Sequence, residues 1–407
     1  MSQLKVGAAR VDITPKRPCH MSGYSGRIEK SVGVSGLLHA RAIVFESDAG
    51  TAALAACDLA FVAPESIEAV RQAVCASLAM PPENLMVCAT HTHSGPQSSY
   101  HQSPDSRVST DVEWAAGLEA KLAEAILLAH AQRRPAKMGV VRGESKINCN
   151  RRETFEDGGI WLGHAWEKPV DREIAALRID AADGTPLARI VHYGCHATAL
   201  GPKNLRISGD WPGEAMLELE KQAGGGVVFA FVNGGAGNVN PIHKGLTDPD
   251  APELRELAET FVRDAQSALA KPLELSGQIG PIRGAFATLA LPRKQSGVEA
   301  GRGRFKRVRA QALRVGPAAF SGLPCEIVWE IVRAVKDGAP LKDTFPCSYV
   351  YNGLGARHPG ADEVGGYLVA KAHFEEGGYE VFQTPFAPEA EQAAVDGLLA
   401  LLRDVCK

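Results

Sequence analysis

The string ATHTHSGP, from Ala89, sets two imidazoles two residues apart where an apolar run that starts at Leu85 gives out. On an extended chain, residues i and i+2 face the same side, so His91 and His93 are expected to project together from a strand end. Paired imidazoles in that setting hold a metal ion or pass protons near neutral pH. A third imidazole comes from the run LARIVHYGCHATAL, where His196 is followed by small residues that let backbone and substrate approach closely. His192, earlier in the same run, competes with it, and either could merely satisfy backbone groups at a strand end. Imidazoles with a carboxylate and one open position describe a catalytic zinc site, and the local pattern does not say which carboxylate.

The glycine-rich NGGAGNVNP, from Asn233 to Pro241, follows a buried apolar run. Such a loop can aim backbone amides, that of Gly235 among them, at an oxyanion or a phosphate. Its plainer reading is a tight turn that needs positive φ. It lacks both the Gly-x-Gly-x-x-Gly order and the P-loop lysine, so a nucleotide site is not expected. The basic run RGRFKRVR, from Arg302, reads as a solvated face of a strand or loop, not a nucleic-acid contact, because the whole chain is nearly neutral.

That neutrality is 44 Lys and Arg against 47 Asp and Glu over 407 residues, which points to a small-molecule partner over nucleic acid or an acidic membrane. Nine scattered cysteines with no Cys-x-x-Cys pair predict no disulfide framework and a reducing, cytoplasmic setting. The opening MSQLKVGAARVDITPK has no basic start with an apolar core, and no long uncharged apolar window occurs, so neither export nor a membrane span is expected.

The elements that must carry these residues form an α/β pattern: a mixed sheet core flanked by helices. Strands are expected from Ala40 and from Thr51, joined at Asp48-Ala49-Gly50, then from Leu85, from Leu187 and through GGGVVFAFVN. Helices are expected over Pro64 to Leu78, Glu113 to Ala131, Asp210 to Gln222 and Asp250 to Leu269. Lys271-Pro272 and the glycines after it mark a seam between a main lobe, 1–271, and a smaller lobe, 272–407. The second lobe should hold strands in FATLALPRK and RAQALRVGPAAFSGLP, a helix over Val328 to Val335, loops from Phe345 to Gly378, and a last helix over Ala387 to Val405.

Ordered strings along nearly the whole chain resemble the catalytic domain of the neutral, non-lysosomal ceramidases and their shorter bacterial relatives. They are GAARVDITP, MSGYSGR, SGLLHARAIVF, ATHTHSGP, INCNRR, CHATALG, ISGDWPGE, NGGAGNVNP, LPCEIVWEI and GGYLVAKAHFEEGGYEV. The resemblance implies one zinc ion on His91, His196, Glu326 and Tyr367, with Glu326 closing the site across the seam. Tyr349, Tyr351 and Tyr379 compete with Tyr367, because the stretch from Asn352 to Gly366 is longer than the family's usual loop. It further implies amide hydrolysis by a zinc-activated water, with His93 passing a proton to the departing amine, Tyr379 donating to the oxyanion, and Arg151 anchoring the substrate. Arg152 is a rival for that last part.

Two departures shape the expected substrate. Ceramidases carry a serine just before the proline that closes the glycine loop, whereas this chain has Asn240, which can donate a hydrogen bond but cannot act as a hydroxyl nucleophile. The family's lipid hydrolases are also longer and exported. The expectation is a zinc-dependent hydrolase of a linear amide smaller and more polar than ceramide. Ester, lactone or lactam hydrolysis is the rival chemistry, and a non-catalytic metal-dependent binding protein is the rival class.

Overall fold

In the computed structural model, the residues described are 2–98, 108–352 and 365–407; most of the long stretch after Asn352 therefore lies outside them. The organising element is a nine-stranded mixed sheet. In spatial order its strands are Val228–Asn233, Pro186–Tyr193, Glu173–Ala181, Arg134–Glu144, Lys5–Asp12, His39–Ser47, Gly50–Cys57, Leu85–Ala89 and Val350–Tyr351. Most neighbours are antiparallel. Two pairs are parallel: Gly50–Cys57 with Leu85–Ala89, and Pro186–Tyr193 with Val228–Asn233. Parallel neighbours need a crossover, and helices Pro64–Val74 and Asp210–Gln222 supply it. The histidine segments and the glycine loop leave the carboxyl ends of these parallel strands, where open α/β sheets gather their ligands.

The sheet curls until strand Val228–Asn233 touches Leu85–Ala89. Its inner face packs Ile43, Leu54, Met86, Leu177, Ile190 and Val232 against Leu313, Phe320 and Phe345 from the chain beyond Lys271. Those three come from a four-stranded sheet of Ile282–Pro292, Phe305–Val315, Ala318–Gly322 and Asp343–Cys347. Chain on either side of Lys271 thus shares one core, and strand Val350–Tyr351 returns to pair with Leu85–Ala89. On the outer face, helices Pro64–Val74 and Val112–Ala131 cover one half and helices Asp210–Gln222 and Pro252–Leu269 the other. Asp111 caps Val112–Ala131 by accepting from the Trp114 amide at 3.0 Å.

Boundaries differ from expectation where the backbone turns left-handed. The helix from Pro64 gives way after Val74 to turns that close through Ala79, at φ 48°. The run RAQALRVGPAAFSGLP is a hairpin, split at Gly316 with φ 56°. Among the described residues, no helix is long and apolar enough to cross a membrane, and all nine cysteines are free.

Candidate metal centre

Strand Leu85–Ala89 ends before His91, which takes φ 67°, so the expected alternation on a strand face does not bring the imidazoles together. A turn does. The His91 amide donates to the Leu59 carbonyl and its Nδ1 to the Ala60 carbonyl (2.9 and 2.8 Å), while its ring stacks on Tyr349 at 3.9 Å. His93 Nε2 then lies 3.0 Å from His91 Nε2. The segment MSGYSGR cradles His93: Tyr24 meets its ring edge-on at 4.8 Å, and Arg27 donates to its carbonyl. Gly23 has no room for a side chain, since a Cβ would stand 2.3 Å from the His93 ring.

His196 sits in the turn after strand Pro186–Tyr193, and its Nδ1 donates to the Ala236 carbonyl. The segment ISGDWPGE clamps this turn, because Trp211 Nε1 donates to the His196 carbonyl at 2.9 Å and the Asp210 carboxylate takes the Ala199 and Leu200 amides (3.1 and 2.9 Å). His192 stays away, donating to the Pro346 carbonyl at 2.8 Å inside the core.

With Nδ1 committed to a carbonyl in both His91 and His196, each Nε2 presents a lone pair. Glu326 Oε2 faces both, 3.4 Å from His91 Nε2 and 3.1 Å from His196 Nε2. Burial alone would raise the Glu326 carboxyl, but the imidazoles beside it hold it well below the usual carboxylate range. Burial, aided by the Arg151 charge, pushes His196 down to about 4, and burial with the neighbouring imidazoles holds His93 well below its ordinary value. A neutral imidazole lone pair and an ionised carboxylate oxygen at 3.1 Å share no proton, and a cation between them resolves the conflict. Nitrogen and carboxylate donors in this number fit zinc. The ligand atoms of His91, His93 and His196 all lie within 4.8 Å of one another. Glu326 keeps 24% of its side chain accessible, so the centre opens on that side.

Glu326 and Tyr367 are register partners in a two-stranded parallel ribbon, Glu326–Ile327 with Tyr367–Leu368. Arg151 reaches across the centre: Nη2 donates to the Tyr367 hydroxyl at 3.0 Å, Nε to Glu380 at 2.7 Å, and Nη1 lies 3.5 Å from Asn240 Oδ1. Arg152 turns the other way, onto Glu380, Glu376 and the Gly377 carbonyl. Tyr379 is the half-buried outer wall, with its ring 5.7 Å from that of Tyr367 and 5.5 Å from that of Trp161. Burial raises the Tyr379 phenol, which keeps it protonated.

The glycine loop is not the positive-φ turn of its plainer reading. None of Gly234, Gly235 and Gly237 has positive φ. They serve close approach instead: a Cβ on Gly235 would come within 2.4 Å of Trp329 Cα, and one on Gly237 within 2.8 Å of the Glu326 carbonyl. The loop thus packs against the segment that carries Glu326. Sequence reasoning passed over Glu380 and Tyr24, and weighed Tyr349 only as a rival fourth ligand, where it instead stacks on His91. Glu380 directly follows Tyr379 and Tyr24 lies inside MSGYSGR, so adjacency to quoted strings was the available signal.

Fold and site together define a mixed α/β protein with a histidine–carboxylate centre suited to a divalent metal. Residues 4–258 match the profile described as neutral/alkaline non-lysosomal ceramidase, N-terminal, and the chain belongs to that family. It is 29% identical to the neutral ceramidase of Mycobacterium tuberculosis over 281 residues, which are 63% of this chain and 43% of that protein. It is 27% identical to neutral ceramidase B of Dictyostelium discoideum over 266 residues, 61% of this chain and 37% of that one. These matches span about two fifths of the relatives' own length. The crystal structure of neutral ceramidase from Pseudomonas aeruginosa superposes with a TM-score of 0.80 at 19% identity, covering 99% of this chain and 74% of that one, so the two share a fold. His91, His93, Arg151, His196 and Asn240 fall inside the matched profile; Glu326, Tyr367 and Tyr379 lie beyond it.

Proposed function

We propose that the chain is a zinc-dependent hydrolase of an amide C–N bond, with one zinc per chain on His91, His196, Glu326 and Tyr367. The observation that carries this reading is the unshared 3.1 Å approach of His196 Nε2 and Glu326 Oε2. Held by those residues, a zinc ion would supply an acidified water and a positive charge to polarise the substrate carbonyl.

The remaining work falls to the chain. His93, held neutral by its burial and with Nε2 3.0 Å from His91 Nε2, takes up the proton that the attacking water releases and hands it to the departing amine. The protonated Tyr379 hydroxyl donates to the developing oxyanion, and on this reading the Asn240 carboxamide and the Gly235 amide are further donors for it. Arg151, charged and aimed past Tyr367, anchors a polar or anionic group of the substrate. Asn240 in place of the family's serine favours a substrate other than ceramide, smaller and more polar. The nine free thiols support a reducing, cytoplasmic address.

The test is elemental analysis of purified wild type beside folded His91→Ala and Glu326→Ala. About one zinc per chain in wild type, lost in both variants, supports the reading; a folded wild type that takes up no zinc overturns it. Matched N-acyl amides and esters then show which bond is preferred. A second reading, with His93 as a third nitrogen ligand, draws on the 4.8 Å grouping of the three imidazoles. His93→Ala separates the two, since it keeps zinc and loses turnover in the first and loses zinc in the second.

A further inference from the structure

His91 and His196 hang from strands on opposite flanks of the nine-stranded sheet, yet their nitrogens must hold one spacing to share an ion. Two ties bracket them. After the ligands, Thr92 and Ala197 form a parallel bridge, with the His93 amide donating to the Ala197 carbonyl at 3.2 Å. Before the ligands there is no backbone bridge, and a side chain takes its place. Asn233, fully buried at the end of strand Val228–Asn233, donates from Nδ2 to the carbonyls of Thr90 (3.2 Å) and Cys195 (3.0 Å), while its Oδ1 accepts from the Cys195 amide at 3.2 Å. Thr90 and Cys195 are the residues immediately before His91 and His196.

The same residue reaches toward the carboxylate. Its carbonyl accepts from the Ser348 amide at 2.9 Å, and Ser348 Oγ accepts from the amide of Ile327, next to Glu326, at 3.3 Å. Only a carboxamide supplies two donors and an acceptor from one planar group of this size, so neither Asp nor Leu reproduces the pattern.

We propose that Asn233 is a positioning residue for the candidate metal centre: its carboxamide sets the spacing of His91 and His196 by joining the chain just ahead of each. This rests on the metal reading above. Groups that orient metal ligands from behind are worth about 10- to 100-fold in metal affinity, and Asn233→Asp, which sets a carboxylate oxygen against two carbonyls, is expected to lose that much.

The experiment measures zinc affinity by chelator competition, and the visible spectrum of the cobalt-loaded protein, for wild type, Asn233→Asp and Asn84→Asp. Asn84 is an equally buried amide that donates to the Thr51 carbonyl at 2.8 Å, at the far end of strand Gly50–Cys57 from His91. The expected result is weaker zinc binding and an altered cobalt spectrum in Asn233→Asp alone, with Asn84→Asp losing stability but keeping both readouts. Asn233→Ser, which is smaller but buries no charge, gives the same readouts should Asn233→Asp not fold. Wild type that binds metal while folded Asn233 variants match it in affinity and spectrum overturns this proposal alone. Wild type that binds no metal removes the centre itself.

Discussion

Two buried arginine clusters sit in this fold and are balanced differently. In the sheet, Arg41 pairs with Asp58 at 2.7 Å and Glu220 at 3.1 Å, all three side chains almost fully buried, and the half-exposed Arg10 also pairs with Glu220. Two guanidinium groups meet two carboxylates, and the charge is closed. At the centre, Arg151 and Arg152 share the single buried carboxylate of Glu380, at 2.7 and 2.8 Å, while Glu376 adds a partner that is 44% exposed. Counting buried side chains alone, two guanidinium groups there face one carboxylate, and Arg151 directs the surplus toward Tyr367, Asn240 and His196. A closed cluster holds strands together; an open one is a place for an anion, which on the proposed function is the oxyanion or a polar group of the substrate.

The largest expected effect comes from breaking the closed cluster. Arg41→Met leaves the buried Asp58 without a guanidinium and Glu220 with Arg10 alone, and should cost about 3–5 kcal/mol of stability, read from the shift in urea midpoint. The folded remainder should still take up zinc; a loss under about 1 kcal/mol would erase the distinction. Arg151→Met leaves Glu380 paired with Arg152, so stability should suffer less, while turnover of an N-acyl amide should fall by about 10²- to 10³-fold, as when an oxyanion donor is removed. Turnover left intact in that variant would mean the excess charge faces no substrate.

The open cluster also leaves an electrostatic trace. Between pH 6.5 and about 4 the unfolded chain binds a proton on His196 that the folded chain refuses, first because of burial and then because of Arg151. The unfolded state holds more protons in that window, so stability of the metal-free protein falls as pH falls through it, by about 3 kcal/mol for this group. Chemical denaturation at several pH values should show this slope, and Arg151→Met should flatten it. Smallest of all, Glu376→Gln should change stability by less than about 1 kcal/mol because its carboxylate is exposed; a larger loss would mean that the open cluster is closed after all.

Short-range pattern made the two histidine segments, the glycine loop and most helices readable before any coordinates. It did not make readable the five strands Lys5–Asp12, Arg134–Glu144, Asn148–Thr154, Ile160–Ala165 and Glu173–Ala181, for which there is no expectation above. Arg134–Glu144 shows why: it lies inside the sheet, yet it carries Lys137, Arg142 and two glycines and is only partly buried, which blurs its alternation. Nor could pattern join Glu326 to His196, 130 residues apart, because that meeting depends on how the sheet curls and on the ribbon between Glu326 and Tyr367. The ligand set came from family resemblance, and its geometric convergence came only from the fold. The burial of Glu380 was invisible for a related reason: an acid in a loop reads as surface until two arginines from another element are seen to cover it.

Among the described residues, four other than glycine have positive φ, and three of them border the centre: His91, Asp210 and Tyr349, at 67°, 57° and 58°. Each such conformation costs on the order of 1–3 kcal/mol. Replacing any of the three to relax the backbone would forfeit buried contacts of similar or greater worth: the hydrogen-bonded histidine turn, the clamp on the second histidine, or the buried ring that stacks on the first. The strain is thus locked in by the packing of the centre itself, so a variant selected for heat resistance that touches these positions should be scored for metal before it is kept.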